Sequence, residues 1–215
     1  MSFNPDPLKQ ATEVLFSKKT SIVNHPGLYF NGTKINRVPS QKHLGMILDE
    51  NLTFNDHISQ KLSKASKGVG ILRKLFYLIP RTALVTIYKS FIRPHLDYGD
   101  IIYDKPNNSS FIQNIEAVQY NAALAITGAI KGTSRQRIYE ELGLETLSSR
   151  RWFRRLSTFY KYFTSKSPPY LYSIIPKINL ESRTRQRENI PLLKTRTDTF
   201  KYSYFTNSLH EWNKI

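Results

Sequence analysis

Gln41 to Ile92 reads QKHLGMILDENLTFNDHISQKLSKASKGVGILRKLFYLIPRTALVTIYKSFI, and the pattern of this stretch sets the architecture of the chain. Between His43 and Asp49, Leu44, Met46 and Leu48 alternate at the two-residue period of a pleated strand, and Asp49-Glu50-Asn51 ends the run. A helix is predicted immediately afterwards. Thr53 and Asp56 have capping-box spacing, and Ile58, Leu62, Ala65, Val69, Leu72, Phe76 and Ile79 fall within one stripe of a helical wheel. Lys64, Lys67 and Lys74 lie opposite that stripe, with Lys61 and Arg73 on its flanks. Such a helix packs on protein with its back and presents cations at its front. Gly68 and Gly70 interrupt it at about 0.8–1 kcal/mol each relative to alanine, so a thin backbone must serve a purpose there. The two candidate purposes are close packing of another helix and close approach of a nucleic-acid backbone.

Composition extends the argument. The 215 residues carry 32 Lys plus Arg against 16 Asp plus Glu, a net charge of +16, which is more than solubility requires and points to a polyanionic partner. The excess is concentrated between Lys131 and Lys201, where 16 basic residues meet 6 acidic ones. With 40% apolar residues and 13% aromatics the chain can bury a core, which excludes a disordered basic tail. Cysteine is absent, so disulfides and thiolate zinc sites are excluded, and the five histidines are too scattered to suggest a ligand set. The longest near-continuous apolar run, 122–130, is too short to span a bilayer, and no secretory signal opens the sequence. These features predict an intracellular protein, nuclear or cytoplasmic, without a membrane partner.

On either side of the opening stretch the pattern changes once. Glu13 to Ser17, Leu28 to Phe30 and Ile35 to Val38 are short strand candidates, and Asn31-Gly32 favours a tight hairpin turn. After residue 55 the pattern is helical. A second helix starts at Pro80 with Leu84, Ile87, Tyr88, Phe91 and Ile92 inward, and Pro94 kinks or ends it. Further helices are predicted over 110–130, over 135–142 with Gly143 as the stop, and over 148–164. In the last of these, Trp152, Leu156, Phe159 and Phe163 form the apolar stripe, with Arg150, Arg154 and Lys161 opposite. Ser167-Pro-Pro-Tyr170 marks a boundary, 181–189 reads as an exposed basic connector, and Phe200, Tyr202 and Tyr204 predict one face of a short strand. The fold class is therefore α+β: an N-terminal antiparallel sheet (1–54), a mostly helical bundle (55–166), and a basic connector with a C-terminal strand (167–215).

Several motifs resemble a known family. MSFNPDPLKQATEVLFS at 1–17, QKHLGMILDENLTFNDHI at 41–58, TIYKSFIRPHLDYGDIIYD at 86–104, IEAVQYNAALAITG at 115–128 and YEELGLETLSSRR at 139–151 together resemble the C-terminal half of reverse transcriptases from non-LTR, LINE-like retrotransposons. The resemblance implies that the first motif follows the catalytic Asp-Asp turn of the palm, that the second is the hairpin supporting the primer end, and that the helices beyond form the thumb.

Polymerase chemistry of this kind needs carboxylates holding two divalent metals. By the resemblance those aspartates lie upstream of residue 1, and no aromatic-x-Asp-Asp turn occurs in the chain, so it is expected neither to polymerise nor to cut by itself. No cofactor is expected here, while Mg2+ is expected for an intact parent polymerase. Asp97, Asp100 and Asp104, at i, i+3 and i+7, could share a helix face as a metal cluster, but a solvated or capping acidic face is the better account. No nucleophile elbow or phosphate-binding glycine loop is present.

Binding remains. Lys61, Lys64, Lys67, Arg73 and Lys74 on the first helix, and Arg150, Arg154 and Lys161 on the later one, are candidates for neutralising phosphates with little sequence preference. Arg183, Arg185 and Arg187 alternate, so an extended backbone would project all three to one side. The implied partners are RNA, an RNA/DNA or DNA duplex, and the upstream palm and fingers of a parent polymerase. A standalone, non-catalytic nucleic-acid-binding protein derived from such an element is the alternative.

Overall fold

The computed structural model describes residues 11–17, 25–164, 166, 168–173, 175 and 190–215. Two compact units divide at Ser63 and Lys64.

In the first unit Asn31 and Gly32, both at positive φ, form the turn of a hairpin between β2 (Tyr29–Phe30) and β3 (Thr33–Lys34), as the Asn-Gly pair predicts. The segment expected as one strand is a second hairpin, with β5 (Ser40–His43) paired antiparallel to β6 (Met46–Asp49). Leu44 and Gly45, at φ 46° and 80°, make its two-residue turn. Leu44 is therefore exposed at the tip, since Gly45 tolerates the left-handed backbone that a continuous strand cannot contain. The remaining pair, β1 (Thr12–Glu13) with β4 (Asn36–Arg37), is parallel, which departs from the all-antiparallel expectation.

Asp49 ends β6 and organises the loop after it. Its carboxylate accepts the backbone N–H of Thr53 at 2.9 Å, Phe54 at 2.8 Å and Asn51 at 3.2 Å. Burial raises its pKa, but these hydrogen bonds outweigh it and hold the carboxyl below its usual value. Asp49 thus supports the entry to α1 (Asn55–Leu75), the place where the sequence suggested a Thr53/Asp56 box. Within this unit Ile47 N–H donates to Nδ1 of buried His57 at 3.2 Å. Burial first, and then the charge of Lys61, push the His57 pKa down, which keeps the ring neutral and able to accept.

Helix α1 continues into the second unit, where the packing is helix on helix. Next come α2 (Arg81–Ile87), a π-helical turn over Tyr88–Ile92, and α3 (Arg93–Asp97). The wide turn lies just before Pro94, whose ring lacks the N–H that an α-helix needs and would collide with the preceding turn. Its extra residue shifts the phase of the helix. Leu84, Tyr88 and Ile92 stay buried, as predicted, but Phe91 is 72% exposed. Gly99, at φ 72°, separates α3 from α4 (Asp100–Tyr103).

The central helix is α5 (Ser109–Thr127), N-capped by Asn108, whose side chain accepts from Phe111 N at 2.9 Å. It packs against α2, α6 (Arg135–Leu142) and α7 (Leu147–Phe163). Gly128 terminates α5 at φ 71°, and a Cβ there would sit 2.5 Å from Phe76 Cζ, so shape and backbone both select glycine. Two buried polar side chains on α5 tie the helices together. Gln119 accepts from Tyr88 OH at 2.5 Å and donates to the Glu145 carbonyl at 2.8 Å, while Glu116 accepts from Tyr139 OH at 2.7 Å and Leu147 N at 3.0 Å.

After α8 (Pro169–Tyr172), the predicted C-terminal strand is replaced by α9 (Asp198–Lys201) and α10 (Tyr204–Trp212). Phe200, Tyr202 and Tyr204 mimic a strand face by alternation, but Thr197 caps α9 by accepting from Phe200 N, and Ser203 precedes α10. Tyr204, Phe205, Leu209 and Trp212 then pack on Tyr162, Phe159 and Phe163 of α7.

Candidate nucleic-acid interface

Two basic helices carry most of the sequence-derived candidates. On the second-unit part of α1, Ala65, Val69 and Leu72 are buried, and Lys64, Lys67, Arg73 and Lys74 are exposed. No carboxylate among the described residues forms an ion pair with any of these four. Lys67 and Lys74 point directly away from the core, Lys64 stands beside them, and Arg73 lies on the flank. At the helical rise Lys64 and Lys74 are about 15 Å apart along the axis, the length of about four phosphates of one strand of a B-form duplex. Lys61, on the part of α1 in the first unit, is half-buried beside His57.

The two glycines of α1 separate the two reasons offered for them. A Cβ on Gly68 would lie 2.7 Å from Ile92 Cγ1, so this glycine lets the π-helical turn approach. Gly70 has nothing within 4 Å of a Cβ position. It sits on the outer face between Lys67 and Lys74, where no helix of the described residues packs.

The arginines of α7 are placed differently. Arg150 reaches Asp97 at 3.2 Å, and Arg154 contacts Asp97 at 3.4 Å and Asp100 at 3.1 Å. The two arginines the sequence left unassigned are deeper: Arg151 and Arg155 have side chains only 7% and 6% exposed. Arg151 binds Asp104 at 3.2 Å and the Leu96 carbonyl at 2.8 Å, with its guanidinium over the Tyr103 and Phe111 rings. Arg155 binds Asp104 at 2.7 Å and takes both Glu211 oxygens, at 2.8 and 2.6 Å. The three aspartates are therefore a set of anchors for α7, not the solvated acidic face expected from their spacing. Asp100 is almost fully buried; that desolvation pushes its pKa up to about 6, against the pull of Arg154 and Arg151 and with a push from Asp97. Trp152, placed by the sequence on the inward stripe, is 43% exposed, because Arg151 and Arg155 take the positions facing α3 and α4. Lys161 is exposed. Arg183, Arg185 and Arg187 lie outside the described residues.

The chain is 31% identical over 126 residues to the RNA-directed DNA polymerase from mobile element jockey of Drosophila melanogaster, covering 56% of this chain and 13% of that relative. It is 28% identical over 127 residues to the probable RNA-directed DNA polymerase from transposon X-element of the same organism, covering 57% of this chain and 14% of the relative. More than half of the chain is thus similar to RNA-directed DNA polymerases of mobile elements. It spans about one-seventh of the length of these curated polymerases. No family model matches it, and no solved structure matches it significantly.

The sequence marked the cationic face of α1 but missed the Asp-Arg-Glu anchor of α7. A signal for the anchor was present. Arg150, Arg151, Arg154 and Arg155 recur at i, i+1, i+4 and i+5, a patch too wide for the polar face alone, and the Asp97–Asp104 cluster supplies matching charge. Among the described residues no helix is long and apolar enough to cross a membrane.

Proposed function

We propose that this chain is the nucleic-acid-gripping segment of a non-LTR element's RNA-directed DNA polymerase, following its palm and forming its thumb. The outward face of α1 is the grip. Lys64, Lys67 and Lys74, with Arg73 at the side, neutralise successive phosphates of RNA or of a primer-template hybrid and release counterions. The observation that carries this reading is that these four cations stand on one rigid helix, exposed and without a carboxylate partner among the described residues. Gly70 supports it, since a bare backbone between two lysines lets a sugar-phosphate chain approach.

Polymerisation is assigned to residues outside this chain. Its grouped carboxylates do not fit a metal pair, because Asp97, Asp100 and Asp104 are engaged by five arginines, Arg93, Arg150, Arg151, Arg154 and Arg155. The palm and fingers of a longer polypeptide would hold Mg2+ and supply the chemistry, and would be the segment's protein partners.

The test is a salt titration of binding to an RNA/DNA hybrid. With 6 to 10 phosphates contacted, affinity falls on the order of 10^3 to 10^5 between 50 and 200 mM salt. Replacing Lys64, Lys67 and Lys74 by glutamine removes about three units from the log-log slope. A triple variant with the parental slope overturns the assignment of α1.

A further inference from the structure

A cavity of about 320 Å³ opens beside the first turns of α7, at the lower end of the size range of ligand pockets. We propose that it seats one unstacked nucleobase of the bound strand, an inference that rests on the proposed grip and names what the grip does with a base.

Three properties of the walls select this occupant. The apolar surface is broad and partly aromatic: Ile112, Ile115 and Leu147 contribute to it, and the half-exposed Trp152 offers a ring for stacking. The charged lining is already engaged from within. Asp104 and Glu211 are held by Arg151 and Arg155, and Glu116 by Tyr139 OH and Leu147 N. Three carboxylates against two guanidiniums leave the lining at minus one when all are ionised, so a phosphate is repelled and a neutral ring is not. Finally, Ser148 and Ser149 line the cavity and are solvent-exposed. Among the described residues neither hydroxyl has a partner, so both are available to donate to or accept from the edge of a base. Cations on α1 would hold phosphate, and this cavity would take the one part of a nucleotide that those cations do not recognise. Single strands are commonly read by such stacking of splayed bases on aromatic side chains.

The experiment uses the whole chain labelled with 5-fluorotryptophan. Its two tryptophans, Trp152 and Trp212, give two fluorine resonances, assigned with Trp152→Phe. A single-stranded oligonucleotide and an abasic oligonucleotide of equal length and charge are titrated in parallel. The base-bearing strand is expected to shift the Trp152 resonance and to bind roughly ten- to a hundredfold more tightly than the abasic one. Trp152→Ala is expected to erase that difference while leaving abasic affinity unchanged. Ser148→Ala, which alters only an exposed hydroxyl, is expected to reduce the difference severalfold and serves if the Trp152→Ala variant loses its thermal transition. If both strands bind equally and Trp152 does not respond, the cavity assignment falls and the phosphate grip stands. If neither strand binds, both fall. A Trp152 response to N-acetylphenylalaninamide without one to the oligonucleotide overturns the proposal and assigns the cavity to a protein side chain.

Discussion

Helices α1 and α7 are two versions of one sequence pattern, an apolar stripe backed by lysine or arginine, and the molecule uses them oppositely. On α1, Lys64, Lys67, Arg73 and Lys74 face solvent with no carboxylate partner among the described residues. The α7 guanidiniums reach across to Asp97, Asp100, Asp104 and Glu211, and join the C-terminal helix to the middle of the bundle. Basic character along a helix therefore does not separate a binding face from an internal clamp. What separates them is whether carboxylates on other elements arrive opposite. Arginine suits the clamp because its planar fork grips two carboxylates at once, and lysine suits an open face because its point charge adapts to moving phosphates.

Cutting the clamp puts this contrast under the greatest stress. Arg155→Ala leaves Glu211 half-buried without its partner and Asp104 with Arg151 alone, and thermal or urea unfolding should show a loss of about 3–5 kcal/mol. Affinity for an abasic strand, which reads the phosphate grip of α1 alone, should not change per folded molecule. The second effect lies on the other helix. Lys64, Lys67 and Lys74 to glutamine should weaken hybrid binding roughly a hundredfold near 0.15 M salt, with the unfolding midpoint unchanged. Arg150→Gln with Arg154→Gln should do the reverse, lowering stability while leaving the salt slope within about one unit.

The energetic cost of the clamp is measurable through pH. Asp100 has a folded pKa of about 6, above the ordinary value of 3.8. The folded state thus binds this proton more tightly than the unfolded state. The stability it contributes is present below pH 3.8 and is lost as pH rises through 6. Asp100→Asn should therefore be more stable than the parent at pH 7.5 by about 2–3 kcal/mol, and the gap should close on titration to pH 4. A gap that is constant with pH would mean that folding does not shift the Asp100 pKa.

The smallest effects come from the glycines of α1. Gly68→Ala pushes a methyl into Ile92 and should cost about 1–3 kcal/mol. Gly70→Ala meets open space and should stabilise by up to about 1 kcal/mol, while weakening hybrid binding if the backbone of a strand approaches there.

Most of the helical architecture was legible in the sequence because its causes are local. Gly128 and Gly143 stop α5 and α6 through their own left-handed backbone, Asn31-Gly32 makes its own turn, and the phase of α1 follows from its apolar residues. The C-terminal region was misread because alternating aromatics satisfy a strand pattern, while the deciding contacts, with Tyr162 and Phe163, come from a helix some forty residues earlier. Phe91 was misplaced because a π-turn, forced by Pro94, shifts the helical phase without any mark in the apolar pattern.

The order of residues alone specifies where most helices start and stop, which residues form their stripes, that cations exceed anions twofold, and which polymerases the motifs resemble. Which of those cations remain available is settled only by the folded packing. Charge pairing depends on separations of a few ångströms between side chains that lie about fifty positions apart in the chain, and the arrangement of α3, α4, α7 and α10 sets those separations.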